Sequence, residues 1–348
     1  MVVRDPSSQS ASYLDEVTPT SLRAARVQLA GKVRRTPVVD WPAEDAQRLV
    51  GPGTELRVKL EILQHAGCFK VRGALLTLLH LSSEERKRGV IAASAGNHAV
   101  SLAFAARAVG VSAVVVVPRT ASPARLELCR YFGAEVALAD DIHSAFEQME
   151  ERRAREGRTL VHSYDNPWMV LGAATLAAEM FDQVTELDAL VVSVGGGGLC
   201  AGTAAAARFI EPRCAVYGVE PEGADTMCRS LESGRPERLE HVRTIADSLA
   251  APGAADRTFT LCREYARAVV RVSDDEIREA GRRLFRSMKL AVEPAAAAAV
   301  AAVLGPLKQE LRGNRVGVVL CGSNLTETEF AAYVGNDDAK AEQEKVQE

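Results

Sequence analysis

Short runs of β-branched and other apolar residues alternate along this chain with alanine-rich stretches of helical composition. Such alternation is typical of parallel strands covered by helices, so the pattern predicts an α/β fold. It leaves open whether the chain makes one large domain or two of medium size. Predicted strand–helix pairs lie at 90–93 and 97–109, 113–117 and 122–132, and 190–194 and 199–210, with a further strand at 316–320 and an alanine-rich helix at 294–303.

The two ends of the chain show a different pattern. Thr18 opens a Thr-Pro-Thr-Ser sequence typical of a capped helix start, and Gly31 is a suitable end for that helix. The first fifteen or so residues and the polar stretch after Gly335 have no periodicity, so we expect mobile ends there.

Composition narrows the classes of function. The 348 residues are 47% hydrophobic, which allows a sizeable core, and the net charge of −4 gives no basic footprint for nucleic acid. No apolar run is long enough for a membrane span, and the N-terminus does not resemble a signal peptide. We therefore expect a cytoplasmic protein that binds neither nucleic acid nor membrane. The seven scattered cysteines have no CxxC spacing and are expected to be free thiols.

The segment 63–74, LQHAGCFKVRGA, places Lys70 in an apolar setting. Desolvation beside Phe69 and Val71 favours the neutral amine, which is the nucleophilic form needed to carry a carbonyl cofactor. Taken alone, a lysine beside a phenylalanine is more often a solvated surface residue, so the other segments must support this interpretation.

The segment 93–99, ASAGNHA, lies between a predicted strand and a predicted helix. A turn there offers backbone N–H groups together with the side chains of Ser94, Asn97 and His98, a set that suits a carboxylate. Simple helix capping by Ser94 or Asn97 is the alternative.

The segment 193–202, SVGGGGLCAG, also follows an apolar strand and precedes a helix. Four glycines without Cβ atoms let the backbone wrap a phosphate and direct its amides and the helix dipole at it. A Rossmann dinucleotide loop is the competing interpretation. Its G-x-G-x-x-G spacing is met only loosely, and Glu220, the nearest acidic residue downstream, is followed by Pro221.

The segment 320–324, LCGSN, ends the last predicted strand. It places a thiol, Cys321, where it could face the pyridine nitrogen of a bound cofactor. A neutral thiol leaves that nitrogen largely unprotonated, which favours prompt loss of a β-substituent over long-lived carbanion chemistry. The alternative is a buried structural cysteine.

With these four segments in this order, the chain resembles the fold type II pyridoxal-phosphate enzymes, and within them the threonine/serine dehydratase and serine racemase family. The resemblance runs from Thr18 to Tyr333 and includes RRTPVV, TIADSLA and AVEPAAAA. It implies a tryptophan synthase β-like fold of two domains with mostly parallel, helix-flanked sheets. The implied large cofactor-binding domain covers 1–79 and 167–335, the small domain covers 80–166, and 336–348 is a polar tail.

The resemblance also implies roles for individual residues. Lys70 would be the Schiff-base lysine, Phe69 its ring-stacking neighbour, Asn97 the partner of the cofactor's 3-hydroxyl, and Cys321 the group facing the ring nitrogen. The phosphate would be held by Gly195, Gly196, Gly197, Gly198 and Leu199, and the substrate carboxylate by Ser94, Gly96, Asn97 and His98.

The implied reaction is a β-elimination. The freed amine of Lys70 would take the α-proton of a β-hydroxy amino acid such as L-threonine or L-serine, and the hydroxyl would leave. Hydrolysis would then yield a 2-keto acid and ammonia, the reaction of an ammonia-lyase. Racemases of the family have a serine at the position of Ala95. A methyl group cannot carry a proton, so we expect a dehydratase rather than an efficient racemase.

Several alternatives stay open at this stage. Family members bind a divalent cation through a glutamate, a backbone carbonyl and an aspartate, whereas here Glu220 and Ala224 are followed by Thr226. Loss of an anionic ligand should weaken cation binding, and Glu220 and Ala224 are the candidate ligands that remain. A racemase, a β-replacement synthase, a dinucleotide-dependent dehydrogenase and a non-catalytic binding protein are the competing functions. The family resemblance implies a homodimer acting on a small amino acid.

Overall fold

The computed structural model describes residues 12–335, so most of the predicted mobile ends, at 1–11 and 336–348, lie outside the described residues. Within the described range the chain forms two sheets. The larger has the order β1-β2-β10-β7-β8-β9, and the smaller has the order β5-β4-β3-β6. The strands are β1 Val38–Asp40, β2 Glu55–Leu60, β3 Val90–Ala93, β4 Ala113–Pro118, β5 Glu135–Ala139, β6 Thr159–Leu160, β7 Ala189–Ser193, β8 Ala215–Pro221, β9 Ala268–Val272 and β10 Arg315–Leu320.

Neighbouring strands are parallel in both sheets except for β1, which pairs with β2 in the antiparallel sense. Parallel strands require crossovers, and helices supply them. The helices are α1 Pro19–Leu29, α2 Ala43–Leu49, α3 Lys70–Leu79, α4 Ser83–Arg88, α5 Asn97–Val109, α6 Pro123–Tyr131, α7 Ile142–Glu156, α8 Pro167–Gln183, α9 Gly198–Ile210, α10 Thr226–Ser233, α11 Asp256–Tyr265, α12 Asp274–Arg283, α13 Pro294–Leu304 and α14 Glu327–Val334.

The predicted α/β architecture is confirmed, with two mostly parallel sheets. We refer to the smaller sheet and its helices, residues 90–160, as the small body, and to the larger sheet with its helices as the large body. The predicted strand 90–93 and helix 97–109 have the bounds of β3 and α5, and the other predicted elements differ by a few residues at most. Thr18 does cap α1, because its hydroxyl accepts the Ser21 N–H at 3.1 Å.

A buried network of charges fixes the helix that carries Lys70. Two residues further along α3, the fork of Arg72 donates to both carboxylate oxygens of Glu61, at 2.9 and 2.7 Å. It also reaches Glu179 of α8 at 3.1 and 3.2 Å, and Lys59 donates to Glu179 at 2.6 Å. Arg72 and Glu61 are 1% and 0% exposed, so these partners satisfy charges that would otherwise be costly to bury.

Among residues 12–335, no helix is both long enough and apolar enough to cross a membrane. The core instead consists of the apolar faces of the sheets and of alanine-rich helices such as α13, whose residues from Ala295 to Val303 are all buried. Small side chains allow these helices to pack closely on the strands.

Candidate active site

A cavity lies where the N-termini of α3, α5, α9 and α13 meet the end of β10. Because unpaired N–H groups and the positive end of the dipole lie at a helix N-terminus, this convergence favours an anionic ligand. The cavity is lined by Phe69, Lys70, Asn97, Ser163, Tyr164, Met169, Ser193, Gly195, Gly196, Gly197, Gly198, Leu199, Ser248, Leu249, Glu293, Ala295 and Cys321. It therefore brings together every residue predicted to bind the cofactor.

Lys70 is the first residue of α3 and its side chain enters this cavity. Its Nζ lies 3.4 Å from the carbonyl oxygen of Ser163 and 5.3 Å from the centre of the Phe69 ring. Desolvation lowers the pKa of Lys70 below its usual range, although the nearby groups of Cys68, Cys321 and Glu293 oppose this shift. The site thus raises the fraction of neutral amine, which is the nucleophilic form.

The glycine segment forms a cradle at the start of α9. Gly197 has φ of +89°, a conformation that favours glycine, and α9 begins at Gly198. A Cβ atom on Gly196 would lie 2.1 Å from the ring of Tyr164, whose hydroxyl donates to the Gly253 carbonyl at 3.0 Å. The cradle therefore needs backbone without side chains, and the first N–H groups of α9 remain available to a phosphate.

The thiol of Cys321 follows β10 and lies at the cavity wall. Its backbone carbonyl accepts the Phe69 N–H at 3.0 Å, which ties the end of β10 to the start of α3. Burial, assisted by the nearby carboxylate of Glu293, raises the pKa of the Cys321 thiol well above its usual range. The group is therefore a neutral thiol, as its predicted place at a ring nitrogen requires.

Asn97 lines the cavity with its amide already oriented. Its Nδ2 donates to Glu293 Oε1 at 2.6 Å, and its Oδ1 accepts from Asn324 Nδ2 at 2.8 Å. Glu293 is 1% exposed, and burial raises the pKa of its carboxyl group. These two partners hold Asn97 in one orientation beside the position predicted for the cofactor.

Residues 94–98 form the turn after β3 and the start of α5, the place predicted for a carboxylate site, but only Asn97 among them lines the cavity directly. The hydroxyl of Ser94 accepts the Gly96 N–H at 3.1 Å. His98 Nε2 lies 2.7 Å from the Val161 carbonyl, which can only accept, so this nitrogen carries the proton.

Burial lowers the pKa of His98 to about 3, so its ring is neutral. Its Nδ1 has no hydrogen-bond partner among the described residues. A neutral ring with a free acceptor nitrogen cannot bind a carboxylate there. Any contribution of His98 to substrate binding would come from its backbone N–H in the first turn of α5.

The predicted cation ligands have other partners. Both carboxylate oxygens of Glu220 accept backbone N–H groups, from Met227 and Cys228, each at 2.8 Å. Ala224 is buried in a short 3₁₀ turn, and the carboxylate of Asp225 binds Arg229 and Arg271. Across residues 12–335 no cluster of three potential metal-binding side chains is found. Glu220 caps the start of α10, which accounts for its burial.

Sequence patterns missed several residues of the cavity. Ser163, Tyr164, Met169, Ser248, Leu249 and Ala295 lie outside the four segments described above. Glu293 had one usable signal, since an acidic residue directly before proline and an alanine run is typical of a helix N-terminus. Its contact with Asn97 could not be recognised, because the two residues are 196 positions apart.

The residues present fit pyridoxal phosphate. The lysine offers a nucleophilic amine, the glycine cradle offers space and N–H groups for a phosphate, and Cys321 offers a neutral thiol. The four glycines line the cavity with backbone alone, which allows a phosphate to approach their N–H groups closely.

Comparison with known proteins gives the same cofactor. Residues 29–322 match the family model described as pyridoxal-phosphate dependent enzyme. The chain is 48% identical over 327 residues to a phenylserine dehydratase of Ralstonia pickettii, with 93% of this chain and 99% of that protein covered. It is 38% identical to an L-threo-3-hydroxyaspartate ammonia-lyase of a Pseudomonas species, with 94% and 99% covered.

Solved structures show the same similarity. Maize serine racemase superposes with a TM-score of 0.85 at 31% identity, and the match covers 94% of this chain and 98% of the maize protein. A serine racemase from Dictyostelium discoideum superposes with a TM-score of 0.81 at 32% identity, with 89% and 99% covered.

Proposed function

This chain belongs to the pyridoxal-phosphate dependent enzyme family, and from that premise we propose that it is an ammonia-lyase for β-hydroxy amino acids with an uncharged side chain. Candidate substrates are L-threonine, L-serine and phenylserine, each converted to a 2-keto acid and ammonia. The observation that carries the proposal is the meeting of the Lys70 amine, the glycine cradle and the neutral Cys321 thiol in one cavity.

Bound pyridoxal phosphate withdraws electrons from the amino acid, which makes the α-proton acidic and lets a β-substituent leave. Lys70 would hold the cofactor and then accept the α-proton at its Nζ, a step favoured by its lowered pKa. The first-turn N–H groups of α9 would hold the phosphate, and those of α5 would hold the substrate carboxylate. Asn97 would orient the cofactor through its amide, which Glu293 and Asn324 fix.

Two features favour elimination over other reactions of the family. The neutral thiol of Cys321 would leave the ring nitrogen largely unprotonated, which limits stabilisation of a carbanion and favours prompt loss of the β-hydroxyl. Ala95, which occupies the position of the racemase serine by the family resemblance, has no acid or base in its side chain. Racemisation, which needs a proton donor there, is therefore disfavoured.

The restriction to uncharged side chains follows from the groups around the cavity. Lys70 is the one basic side chain among the described residues that line it. The nearby arginine, Arg125, already binds Asp247, Ser248 and two backbone carbonyls. A second substrate carboxylate would find no free cation and would face Glu293. Met169, Tyr164 and Leu249 add apolar surface suited to a methyl or aryl group.

Proton NMR in heavy water tests the proposal. The purified protein, supplied with pyridoxal phosphate, would be given L-threonine, L-serine, L-threo-phenylserine and L-threo-3-hydroxyaspartate. We expect keto acid and ammonia from at least one of the first three, at a higher kcat/KM than from 3-hydroxyaspartate. Loss of the α-proton signal without keto acid would contradict the lyase. Faster turnover of 3-hydroxyaspartate would contradict the restriction to uncharged side chains.

The competing functions are distinguished as follows. Because the chain belongs to the pyridoxal-phosphate dependent family, a function as a dinucleotide-dependent dehydrogenase is excluded. A β-replacement synthase would consume sulfide or a thiol together with the hydroxy amino acid, and a non-catalytic protein would bind the cofactor without turnover of any substrate. A homodimer and a cytoplasmic location stay predictions, and sedimentation equilibrium and cell fractionation test them.

A further inference from the structure

Arg125 of α6 in the small body reaches across to the large body. Its Nε donates to the Asn324 carbonyl at 3.1 Å, and its Nη2 donates to Ser248 Oγ at 3.2 Å. The same guanidinium binds both oxygens of Asp247 and lies 3.6 Å from Glu293 Oε2. Because the Arg125 side chain is only 4% exposed, this contact is a buried clamp between the two bodies.

Asn97 is a second point at which the small body binds the same pair of large-body residues. Its amide contacts Glu293 and Asn324, and Glu293 also accepts the Asn324 N–H at 3.2 Å. Arg125 and Asn97 therefore share their partners. Separation of the two bodies would break both sets of bonds together.

The clamp also touches the loop expected to hold the substrate carboxylate. Arg125 Nη1 lies 3.4 Å from the Ala95 carbonyl oxygen, a contact within the small body. On the other side of the loop, a Cβ atom on Gly96 would lie 3.3 Å from Ser248 Oγ. Arg125 thus braces the loop directly through Ala95, and also through its bond to Ser248.

We propose that Arg125 is a positioning residue that couples the packing of the small body against the large body to the geometry of both subsites. Through Glu293 it sets the amide of Asn97 on the cofactor side, and through Ala95 and Ser248 it sets the loop on the substrate side. This inference rests on the proposed function, since it assigns both subsites as proposed above. Arg125 itself is not among the residues that line the cavity.

The charges explain why arginine is needed. The two carboxylates of Asp247 and Glu293 share the single cation of Arg125, and Glu293 is almost completely buried. The planar fork reaches carboxylate, hydroxyl and carbonyl groups at once. A lysine would keep the positive charge beside the two carboxylates but lose most of these hydrogen bonds. Arg125→Lys therefore tests the effect of the hydrogen bonds apart from that of the charge.

The test compares the holoenzyme variants Arg125→Lys and Arg125→Met with Arg130→Met, which changes an exposed arginine on the same helix. Hydrogen exchange followed by mass spectrometry reports on residues 94–101, and steady-state kinetics report kcat and KM separately. We expect both Arg125 variants to exchange at least about tenfold faster in this segment and to raise KM by roughly 10- to 100-fold, as expected for lost charge-assisted hydrogen bonds. Arg130→Met should match the wild type in both measurements.

Glu293→Gln provides a second, independent test. The glutamine has one acceptor oxygen for the Asn97 and Asn324 donors, while the clamp to Asp247 remains. We expect kcat to fall at least about tenfold with little change in KM, and the absorption spectrum of the bound cofactor to shift. An equal effect on KM would contradict the assignment of Glu293 to the cofactor side.

If Arg125→Met fails to fold, Arg125→Lys and Asp247→Asn still test the proposal. The Asp247 side chain is half exposed, so we expect Asp247→Asn to fold. Wild-type exchange and KM in both folded variants would overturn the proposal. Absence of turnover by the wild type would refute the proposed function instead. Hydrogen exchange would continue to report on the clamp, so the two failures are distinguishable.

Discussion

Gly73 and Gly172 touch backbone to backbone where the lysine-bearing helix α3 crosses α8. A Cβ atom on Gly172 would lie 2.3 Å from the Gly73 nitrogen, and one on Gly73 would lie 2.6 Å from Met169 Cα. Backbone atoms cannot move aside as a side chain can, so both positions require glycine. The contact sets the distance between α3 and α8, and Lys70 on α3 and Met169 on α8 both line the cavity.

We therefore expect Gly172→Ala to destabilise the protein by about 1–3 kcal/mol, because the added methyl group overpacks the crossing. The shift of α3 should also weaken cofactor binding. Urea unfolding and titration of the apoprotein with pyridoxal phosphate measure the two effects. Gly133→Ala is the control, since Gly133 has φ of +83° and no atom within 4 Å of an added Cβ. That control should lose stability from backbone strain and keep its cofactor affinity. Unchanged affinity in Gly172→Ala would contradict the coupling.

The cradle predicts the effect of a single methyl group on Gly196. In Gly196→Ala the new Cβ would collide with the anchored Tyr164 ring and narrow the space for the phosphate. We expect the dissociation constant of pyridoxal phosphate to rise at least about tenfold, the effect of roughly 1.4 kcal/mol. Absorbance titration measures it. The double variant Gly196→Ala/Tyr164→Ala should recover part of the loss if the ring is the obstacle, and equal affinity in all three proteins would refute the assignment.

Ala95→Ser should give the enzyme a racemase activity. By the family resemblance the new hydroxyl would stand where racemases have their serine proton donor, and general acid–base catalysis contributes about 10²-fold or more. We expect D-serine to form from L-serine by the variant, together with continued elimination. Chiral chromatography measures it. Ala95→Thr adds a hydroxyl with one extra methyl group and tests for crowding, and formation of D-serine by the wild type would show that another residue acts as the donor.

The lowered pKa of buried His98 predicts that the stability of the protein depends on pH. Its pKa in the folded protein is lowered to about 3, whereas an unfolded histidine titrates near ~6.5. The unfolded chain therefore binds this proton more strongly between these values. The contribution of neutral His98 to the free energy of unfolding is fully present above pH ~6.5 and is lost as the pH falls toward 3. The loss amounts to about 2 kcal/mol at pH 5.

Urea unfolding of wild type and His98→Asn at pH 5, 6, 7 and 8 measures this difference. The variant should be less stable at pH 8 but should lose less stability between pH 7 and pH 5. His143→Asn removes an exposed histidine, with a side chain that is 85% exposed, and should follow the wild type. A variant with the full acid sensitivity of the wild type would assign that sensitivity to other groups.

Local pattern and composition determined the elements of this protein and its cofactor motifs. The bounds of β3 and α5 and the cap at Thr18 follow from hydrophobic periodicity and capping chemistry, which depend on near neighbours in the chain. Lys70, the glycines and Cys321 were recognisable because each belongs to a short segment with its own chemistry. Family resemblance supplied the order that joined them into one site.

Only the tertiary structure decided which side chains complete that site. Asn97 and Glu293 are 196 positions apart, and the clamp of Arg125 on Asp247 spans 122 positions. The partners of Glu220 also depend on the tertiary structure. The sequence suggested a cation ligand at this position, whereas in the structure the carboxylate caps α10. No periodicity encodes such pairs, because they depend on how the two bodies pack, and burial then fixes the charge of each group.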